Sequence, residues 1–175
     1  PPSPPAPART ESRRIQPADL ILIENFDQNY VLFERAAALV RQGLSQRVIV
    51  PVHETGEVAK GIVELLSRAA HLEEFEIVPL RVQEPITLNT ATDLKAFLLS
   101  QKVSSILIVT DGFRSQRTSL VYKRVLTPAG IRFSIVPVFG AKDVQNWRKS
   151  WHGILDVTME FGKLWYYRLF VLPGL

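Results

Sequence analysis

Two arginines that follow the most apolar run of the chain are the residues whose type and spacing best suit chemistry. Arg114 and Arg117 stand three positions apart, and hydroxyl side chains, including Thr110, surround them in the sequence. Guanidinium groups suit phosphate and carboxylate ligands, whereas cations at the start of a helix oppose the helix dipole. The pattern therefore favours an anion-binding site. The structural alternative is that one arginine pairs with Asp111 or Glu84.

A second group of polar residues lies in the segment 81–90, before another predicted helix. Glu84 in this segment is a candidate general acid or base. Thr87, Asn89 and Thr90 would sit where the free N–H groups and the positive dipole end of a helix attract an anion. Helix capping is the alternative for any one of these three residues, but it does not account for all of them or for Glu84.

Further candidates surround the end of the first predicted strand. Glu24, Asn25 and Asp27 could bind a metal ion, a sugar or a base, and the alternative is that Asp27 forms a turn and caps the next helix. Arg35 lies one turn into that helix, where it either reaches toward the strand ends or faces solvent.

The candidate catalytic residues are Glu84, Asp111 and His152, because an arginine stays charged and cannot act as a base near neutral pH. His152 suits acid–base work, although a lone histidine among aromatic residues is more often only hydrogen-bonded. No metal site is predicted, since the chain has no cysteine and its three histidines lie far apart. A divalent ion would need several of the carboxylates named above to lie close together. No cofactor is assigned.

Short apolar runs alternate with helical patterns, and this alternation defines the elements that must position these residues. Five strands with four intervening helices predict an α/β fold, Rossmann-like, in three α/β/α layers around a mostly parallel five-stranded sheet. Ligands of such sheets bind outside the carboxyl ends of the strands. Thr90 and Asp93 form a capping-box pattern at the third helix. The predicted strands are residues 19–23, 47–52, 75–82, 105–110 and 131–139, and the predicted helices are 30–43, 57–71, 90–100 and 115–126.

The last part of the chain is a long, aromatic-rich helical segment. One stripe at helical spacing favours packing against the core, but the opposite side is apolar as well. A helix that is apolar on nearly all sides is buried, contacts a partner or touches a membrane, and the Trp, Tyr and Arg near its end are typical of a bilayer interface. The stripe consists of Trp147, Trp151, Ile154, Thr158, Phe161 and Trp165, and the opposite side of Leu155, Met159, Tyr166 and Leu169.

Composition limits the domain organisation and the class of partner. The chain has 175 residues, 46% of them apolar, which suffices for one domain with a sizeable core. Of the formal charge of +4, residues 1–16 contribute +2, from three arginines and one glutamate, and the remainder does not indicate a nucleic-acid partner. Five prolines among the first seven residues predict a disordered linker over 1–16. The α/β domain then spans 17–142, with 143–175 as its helical C-terminal extension.

Several of these motifs resemble the YdcF/SanA/ElyC family, long labelled a domain of unknown function. The resemblance covers residues 18–140, and its most specific part is the strand–loop–helix that contains Arg117. The sequence departs from the family pattern where Glu24 and Asn25 replace a glycine pair and where Arg114 replaces a histidine, which implies a retained site with altered chemistry. The motifs are a helix with Arg35-Ala36 that ends at Gly43, then Glu84 followed by Thr87-Leu88-Asn89-Thr90, and then Val109-Thr110 with Arg117.

The resemblance implies a Rossmann-like domain associated with the bacterial cell envelope. Family members are linked to peptidoglycan, lipid-carrier or surface-polysaccharide metabolism, and several carry a membrane anchor before an extracytoplasmic domain. We therefore expect an anionic small molecule or a lipid-linked phosphate to bind at the carboxyl edge of the sheet, in a domain that follows an N-terminal anchor lying upstream of this sequence. One alternative is a non-catalytic module of an envelope complex that docks on a membrane surface or a membrane protein through the aromatic helix. The other is a binder of S-adenosylmethionine or a nucleotide.

Overall fold

The protein folds around one five-stranded sheet in which every pair of neighbouring strands is parallel. The computed structural model describes residues 15–24, 29–53, 57–81, 83–140 and 144–174, so the predicted linker lies almost entirely outside the described residues. The strands are β1 (Leu20–Ile23), β2 (Val48–His53), β3 (Glu76–Leu80), β4 (Ser105–Asp111) and β5 (Arg132–Val138), in the order β3-β2-β1-β4-β5.

Helices cover both faces of the sheet. They are α1 (Tyr30–Arg41), α2 (Glu57–Ala69), α3 (Ile86–Ser100), α4 (Ser115–Leu126) and α5 (Trp151–Tyr166). Apolar residues of α1 and α2 pack on one face of the sheet, and those of α3 and α4 pack on the other. This confirms the predicted α/β class and its Rossmann-like three-layer architecture.

The central strand β1 shows why the predicted strands read as unbroken apolar runs. Leu20 and Leu22 point into the core under α3 and α4, whereas Ile21 and Ile23 point into the core under α1 and α2. A strand that is buried on both faces needs apolar residues at every position, and all four are buried.

The strand order reverses between β1 and β4, which makes the carboxyl edge of this strand pair the usual place for a ligand crevice. The parallel register pairs Ile23 with Val109, and the backbone N–H of Glu24 donates to the carbonyl oxygen of Val109 at 2.9 Å. The residues that follow the two strands, Glu24 and Thr110, are therefore neighbours.

The start of α3 differs from the prediction. The helix begins at Ile86, four residues earlier than expected, so the proposed capping box at Thr90 and Asp93 lies inside the helix and is wrong. Glu84 caps the helix instead, because its carboxylate accepts a hydrogen bond from the backbone N–H of Ile86 at 3.1 Å. A carboxylate at this position also complements the helix dipole.

The C-terminal segment is helical as predicted, but it buries a different face. A 3₁₀ turn at Trp147–Lys149 precedes α5, and the Ser150 hydroxyl caps α5 by accepting from the Gly153 backbone N–H at 3.0 Å. The prediction that the stripe from Trp147 to Trp165 packs against the core is wrong, because its members Trp151, Phe161 and Trp165 are exposed. The side that faces the domain carries Gly153, Val157, Glu160, Leu164 and, in the following π-helical turn, Tyr167.

Gly153 explains part of this orientation. A Cβ atom at this position would lie 2.1 Å from the backbone carbonyl oxygen of Trp147, so only glycine allows the helix to approach the preceding turn so closely. No helix in the described ranges combines the length and apolar character needed to cross a bilayer.

Candidate functional site

Arg114 and Arg117 lie at the N-terminus of α4, beyond the carboxyl end of β4. The turn that leads to them is held by two local hydrogen bonds: the Phe113 backbone N–H donates to Asp111 Oδ1 at 2.9 Å, and Ser115 Oγ donates to the Gly112 carbonyl oxygen at 2.7 Å. Both arginines are buried, with 8% and 6% of their surface exposed. Two buried cations need a compensating anion.

Glu160 of α5 is that anion. Arg117 donates to Glu160 Oε2 from Nη2 at 2.8 Å and from Nε at 3.1 Å, and Arg114 Nε lies 3.8 Å from Oε1. Lys163 adds a third cation, with its Nζ 3.0 Å from Oε1. The alternative in which an arginine pairs with Asp111 or Glu84 is therefore wrong, because the partner comes from a helix that is distant in sequence.

The electrostatics of Glu160 agree with this geometry. Burial raises the pKa of Glu160, but the charge and hydrogen bonds of Arg117, with help from Lys163 and Arg114, lower it further than burial raises it. The net pKa lies below the ordinary value of a glutamate, so Glu160 is a carboxylate at neutral pH.

Thr87 and Tyr167 complete the surroundings of Arg117. Nη1 of Arg117 donates to the Thr87 hydroxyl, the Thr87 backbone N–H donates to the Tyr167 hydroxyl at 3.0 Å, and the Arg117 guanidinium lies 5.7 Å from the centre of the Tyr167 ring. Thr87 thus contacts the arginine, at the end of α3 that the sequence also assigned to the site.

Sequence reasoning missed Glu160 and Tyr167. Together with Gly153 they recur at intervals of seven residues, which places all three on one side of a helix. The signal available in the sequence was an acidic residue, Glu160, on the same side of the helix as Gly153. The apolar residues on the other sides of α5 are more numerous, and the prediction followed them instead.

Glu24 forms a second, separate network at the same edge. Its side chain is 1% exposed, and its Oε2 accepts hydrogen bonds from Thr110 Oγ1 at 2.5 Å and from Thr118 Oγ1 at 2.6 Å. Its Oε1 is buried and accepts no hydrogen bond from the described residues. Burial raises the pKa of Glu24, and the two hydroxyls and the more distant arginines only partly offset that rise.

The three candidate catalytic residues do not assemble. Glu84 is exposed and caps α3, Asp111 is half-buried and holds the turn before α4, and His152 is exposed in the first turn of α5. No hydrogen bond joins any two of these side chains in the described part of the chain. In the same part, no three histidine or acidic side chains lie close enough to hold a metal ion.

The remaining described candidates lie on α3 and α1. Asn89 donates to the Gln83 carbonyl oxygen at 3.1 Å, Thr90 is buried within α3 and Arg35 is half-buried on α1. Asn25 and Asp27 lie outside the described residues. Of the predicted ligand-binding residues, the structure thus brings Thr87, Arg114 and Arg117 together around Glu160, and pairs Glu24 with Thr110.

A cavity of about 350 Å³ opens beside the ion pair, between the start of α4, the end of β5 and the inner side of α5. Gly112 shapes it, because a Cβ atom there would lie 2.2 Å from a ring carbon of Phe139, and the rings of Phe139 and Phe113 meet edge to face at 5.4 Å. Most of the wall is apolar. The lining residues are Gly112, Phe113, Ser115, Gln116, Arg117, Phe139, Val144, Val157, Glu160, Phe161 and Leu164.

Comparison with known proteins adds no relative. No protein-family model matches the chain, and no curated protein matches it. The functional argument is therefore built on the two arginines, their carboxylate partner Glu160 and the adjoining cavity.

Proposed function

We propose that the protein binds an anionic, amphiphilic ligand, a phosphate that carries an apolar chain, at the carboxyl edge of the sheet. Arg117 and Arg114 hold the phosphate, and the apolar cavity receives the first part of the chain. The single observation that carries the proposal is the pair of buried guanidinium groups beside that cavity, which share one carboxylate from α5 and therefore keep an excess of positive charge over it.

The position of Glu160 supports an anion site. A carboxylate and a phosphate make the same kind of charge-assisted hydrogen bonds to a guanidinium fork, so Glu160 marks where the negative charge of a ligand would lie. Because Glu160 also reaches Lys163 at 3.0 Å, its side chain keeps a cationic partner when a phosphate takes its place on Arg117. The exchange therefore does not leave a lone buried charge.

The cavity supports an apolar chain next to the anion. Its walls include Phe113, Phe139 and Phe161, and Arg117 and Glu160 form its charged end. A ligand with a charged group at one end and carbon chain at the other matches this division, as binding sites are mostly apolar with a few placed polar groups. The ribose of a nucleotide or of S-adenosylmethionine would place hydroxyl groups against this apolar wall, whereas a carbon chain would not.

The proposal extends to a role in the bacterial cell envelope. A lipid-linked phosphate is the type of molecule on which peptidoglycan, lipid-carrier and surface-polysaccharide metabolism depend, and the resemblance of residues 18–140 to the YdcF/SanA/ElyC family points to the same setting. The domain would then work outside the cytoplasm behind a membrane anchor. The proposal concerns binding and assigns no reaction.

A thermal-shift experiment with geranyl phosphate, a short prenyl phosphate, tests the site. A ligand that binds only the folded protein raises its stability by about 2.7 kcal/mol at a concentration one hundred times the dissociation constant. We expect geranyl phosphate to raise the melting temperature of the wild type, and geraniol, which lacks the phosphate, to leave it unchanged. The shift should disappear in Arg117→Gln and persist in the control Arg68→Gln, whose arginine is exposed on α2.

The variant Glu160→Gln sharpens the same experiment. Glu160→Gln removes the carboxylate that occupies the guanidinium of Arg117, so geranyl phosphate should raise the melting temperature of this variant more than that of the wild type. An equal shift in wild type and Arg117→Gln would contradict the site, as would the absence of any shift in both wild type and Glu160→Gln.

A further inference from the structure

The solvent-facing side of α5 is apolar, which is the reverse of an ordinary surface helix. We define its outer face by six exposed residues: Trp151, Leu155, Met159, Tyr166, Leu169 and Phe170. Trp151 and Phe170, near the two ends, are 69% and 75% exposed. Contiguous apolar surface of this kind marks a site of contact with a partner or a membrane.

A cationic groove lies next to the C-terminal end of this face. It has a volume of about 620 Å³ and is formed by the second half of α4 and the turns that follow α5. Its floor is apolar, with Leu120 and Leu172, and its charged residues are Lys123, Arg124 and Arg168. Three cations around an apolar floor suit the headgroup and upper chain of an anionic lipid.

Arg168 links the groove to the aromatic residues of the helix. Its guanidinium lies 5.4 Å from the centre of the Trp165 ring, and Arg148 lies 5.5 Å from the centre of the Trp147 ring before the start of α5. Paired tryptophan and arginine at both ends of an apolar helix are typical of segments that lie in the headgroup region of a bilayer.

We propose that the outer face of α5 lies on an anionic lipid surface, with Lys123 and Arg168 of the adjoining groove binding lipid phosphates. Charge complementarity favours lipid over a second copy of the chain. The acids of α5 are Asp156 and Glu160, and Glu160 already neutralises buried arginines, so a copy would offer the groove little negative charge. The sixteen residues of α5 extend about 24 Å, which suits a helix that lies flat.

This docking does not depend on the proposed ligand site, although the two fit one arrangement. Phe161 is exposed and also lines the cavity beside Arg117. Helical spacing places Phe161 on the flank of α5, between the outer face and the side that packs on the domain, so a lipid-linked phosphate that leaves the bilayer would pass along this flank to enter the cavity.

Vesicle flotation with the full chain tests the docking. The vesicles are phosphatidylcholine alone and an equimolar mixture of phosphatidylcholine and phosphatidylglycerol. We expect the wild type to bind the mixed vesicles. Leu155→Glu should weaken this binding at least about tenfold, because the variant loses the burial of an apolar side chain in the bilayer and adds a charge that the bilayer excludes. The control Leu65→Glu changes a leucine on α2 that is more exposed than Leu155, 66% against 44%, and should bind as the wild type does.

Lys123→Gln separates the cationic groove from the apolar face. Each cation near an anionic surface contributes about a factor of five in binding, so this variant should bind mixed vesicles about fivefold more weakly. Arg68→Gln, which removes an exposed charge on α2 outside the groove, should bind vesicles as the wild type does. The thermal shift with geranyl phosphate, measured without vesicles, reports on the ligand site separately and keeps the two proposals distinguishable. Circular dichroism confirms that each variant is folded.

Two results would overturn the proposal. One is the absence of wild-type binding to the mixed vesicles, or binding that Leu155→Glu leaves unchanged. The other is a wild type that does not bind vesicles but forms a dimer in sedimentation equilibrium, which Leu155→Glu dissociates. This result would assign the outer face to a second copy of the chain.

Discussion

Two glutamates at the same edge of the sheet have opposite electrostatic surroundings. Glu24, after the central strand β1, meets two threonine hydroxyls, and burial raises its pKa. Glu160, on the last helix, meets two arginines and a lysine, and its pKa falls even though burial opposes the change. Glu24 is thus biased toward its neutral form and Glu160 toward its charged form.

The difference follows from what surrounds each carboxylate rather than from burial alone. Hydroxyl donors offset only part of the cost of removing a charge from water, whereas a guanidinium fork offsets more than all of it. The consequence is functional: an ionised carboxylate on arginines can be exchanged for another anion, while a carboxyl group enclosed by hydroxyls is part of the packed interior.

Removing Glu160 should have the largest effect on stability. Glu160→Ala removes the carboxylate that pairs with the buried Arg117 at 2.8 Å, and breaking a buried ion pair costs on the order of 3 kcal/mol. Urea denaturation measures this loss, with the exposed Glu73 changed to alanine as the control. Inorganic phosphate should restore more stability to Glu160→Ala than to the wild type. A loss no greater than that of the control would show that the ion pairs contribute nothing.

Removing Glu24 should lower the free energy of unfolding by less, and the loss should depend on the shape of the replacing side chain. Glu24→Ala leaves a cavity and takes the acceptor from Thr110 and Thr118, which we expect to lower the free energy of unfolding by on the order of 2 kcal/mol. Glu24→Gln keeps an oxygen for both hydroxyls and resembles the neutral acid, so it should lose less. Urea denaturation of both variants decides this, and a glutamine variant as unstable as the alanine variant would mean that the negative charge itself is needed.

The two glutamates should give pH dependences of opposite sign, because the pKa of Glu24 is raised and that of Glu160 is lowered in the folded protein. The contribution of Glu160 is present above its ordinary pKa and is lost as pH falls through its lowered folded pKa. The contribution of Glu24 is present below its ordinary pKa and is lost as pH rises through its raised folded pKa. With rising pH, Glu24→Gln should therefore gain stability relative to the wild type, and Glu160→Gln should lose it. Parallel pH profiles for the two variants would contradict the comparison.

Tyr167→Phe should have the smallest effect. It removes the acceptor of the Thr87 backbone N–H and keeps the aromatic ring beside Arg117, so we expect a loss of about 1 kcal/mol. Tyr166 is exposed, and Tyr166→Phe is the matched control with no expected loss. Thermal unfolding of the two variants measures the difference. Equal stability would show that the hydrogen bond between Thr87 and Tyr167 does not stabilise the protein.

Most of the fold was predictable because it depends on local pattern. The α4 bounds at Ser115 and Leu126 match the prediction, since an apolar stripe before a proline and a glycine limits the helix clearly. The start of α3 was misplaced because Glu84 caps from outside the helix, where several short polar residues offered equally plausible caps.

The candidate site was predictable only in part. The location of Arg114 and Arg117 at the carboxyl edge follows from the alternation of strands and helices. The pairing of Glu24 with Thr110 was not predicted, because it also requires β1 and β4 to be neighbours in the sheet. The partner of the arginines, Glu160, lies 43 residues beyond Arg117, and no local pattern connects the two. The side of α5 that packs inward was mispredicted for the same reason, because its contacts, from Glu160 to Arg117 and from Gly153 to the turn at Trp147, are made with residues that periodicity does not identify.

The amino-acid sequence by itself determined the α/β class, the order of elements and the edge of the sheet where the arginines lie, because periodicity and turn residues act over short distances. Only the tertiary structure decided that Glu160 neutralises the arginines, that Glu24 is enclosed by hydroxyls and that α5 turns its apolar residues outward. Those outcomes depend on which charges meet after packing, and the free energy of a buried charge is set by neighbours that are remote along the chain.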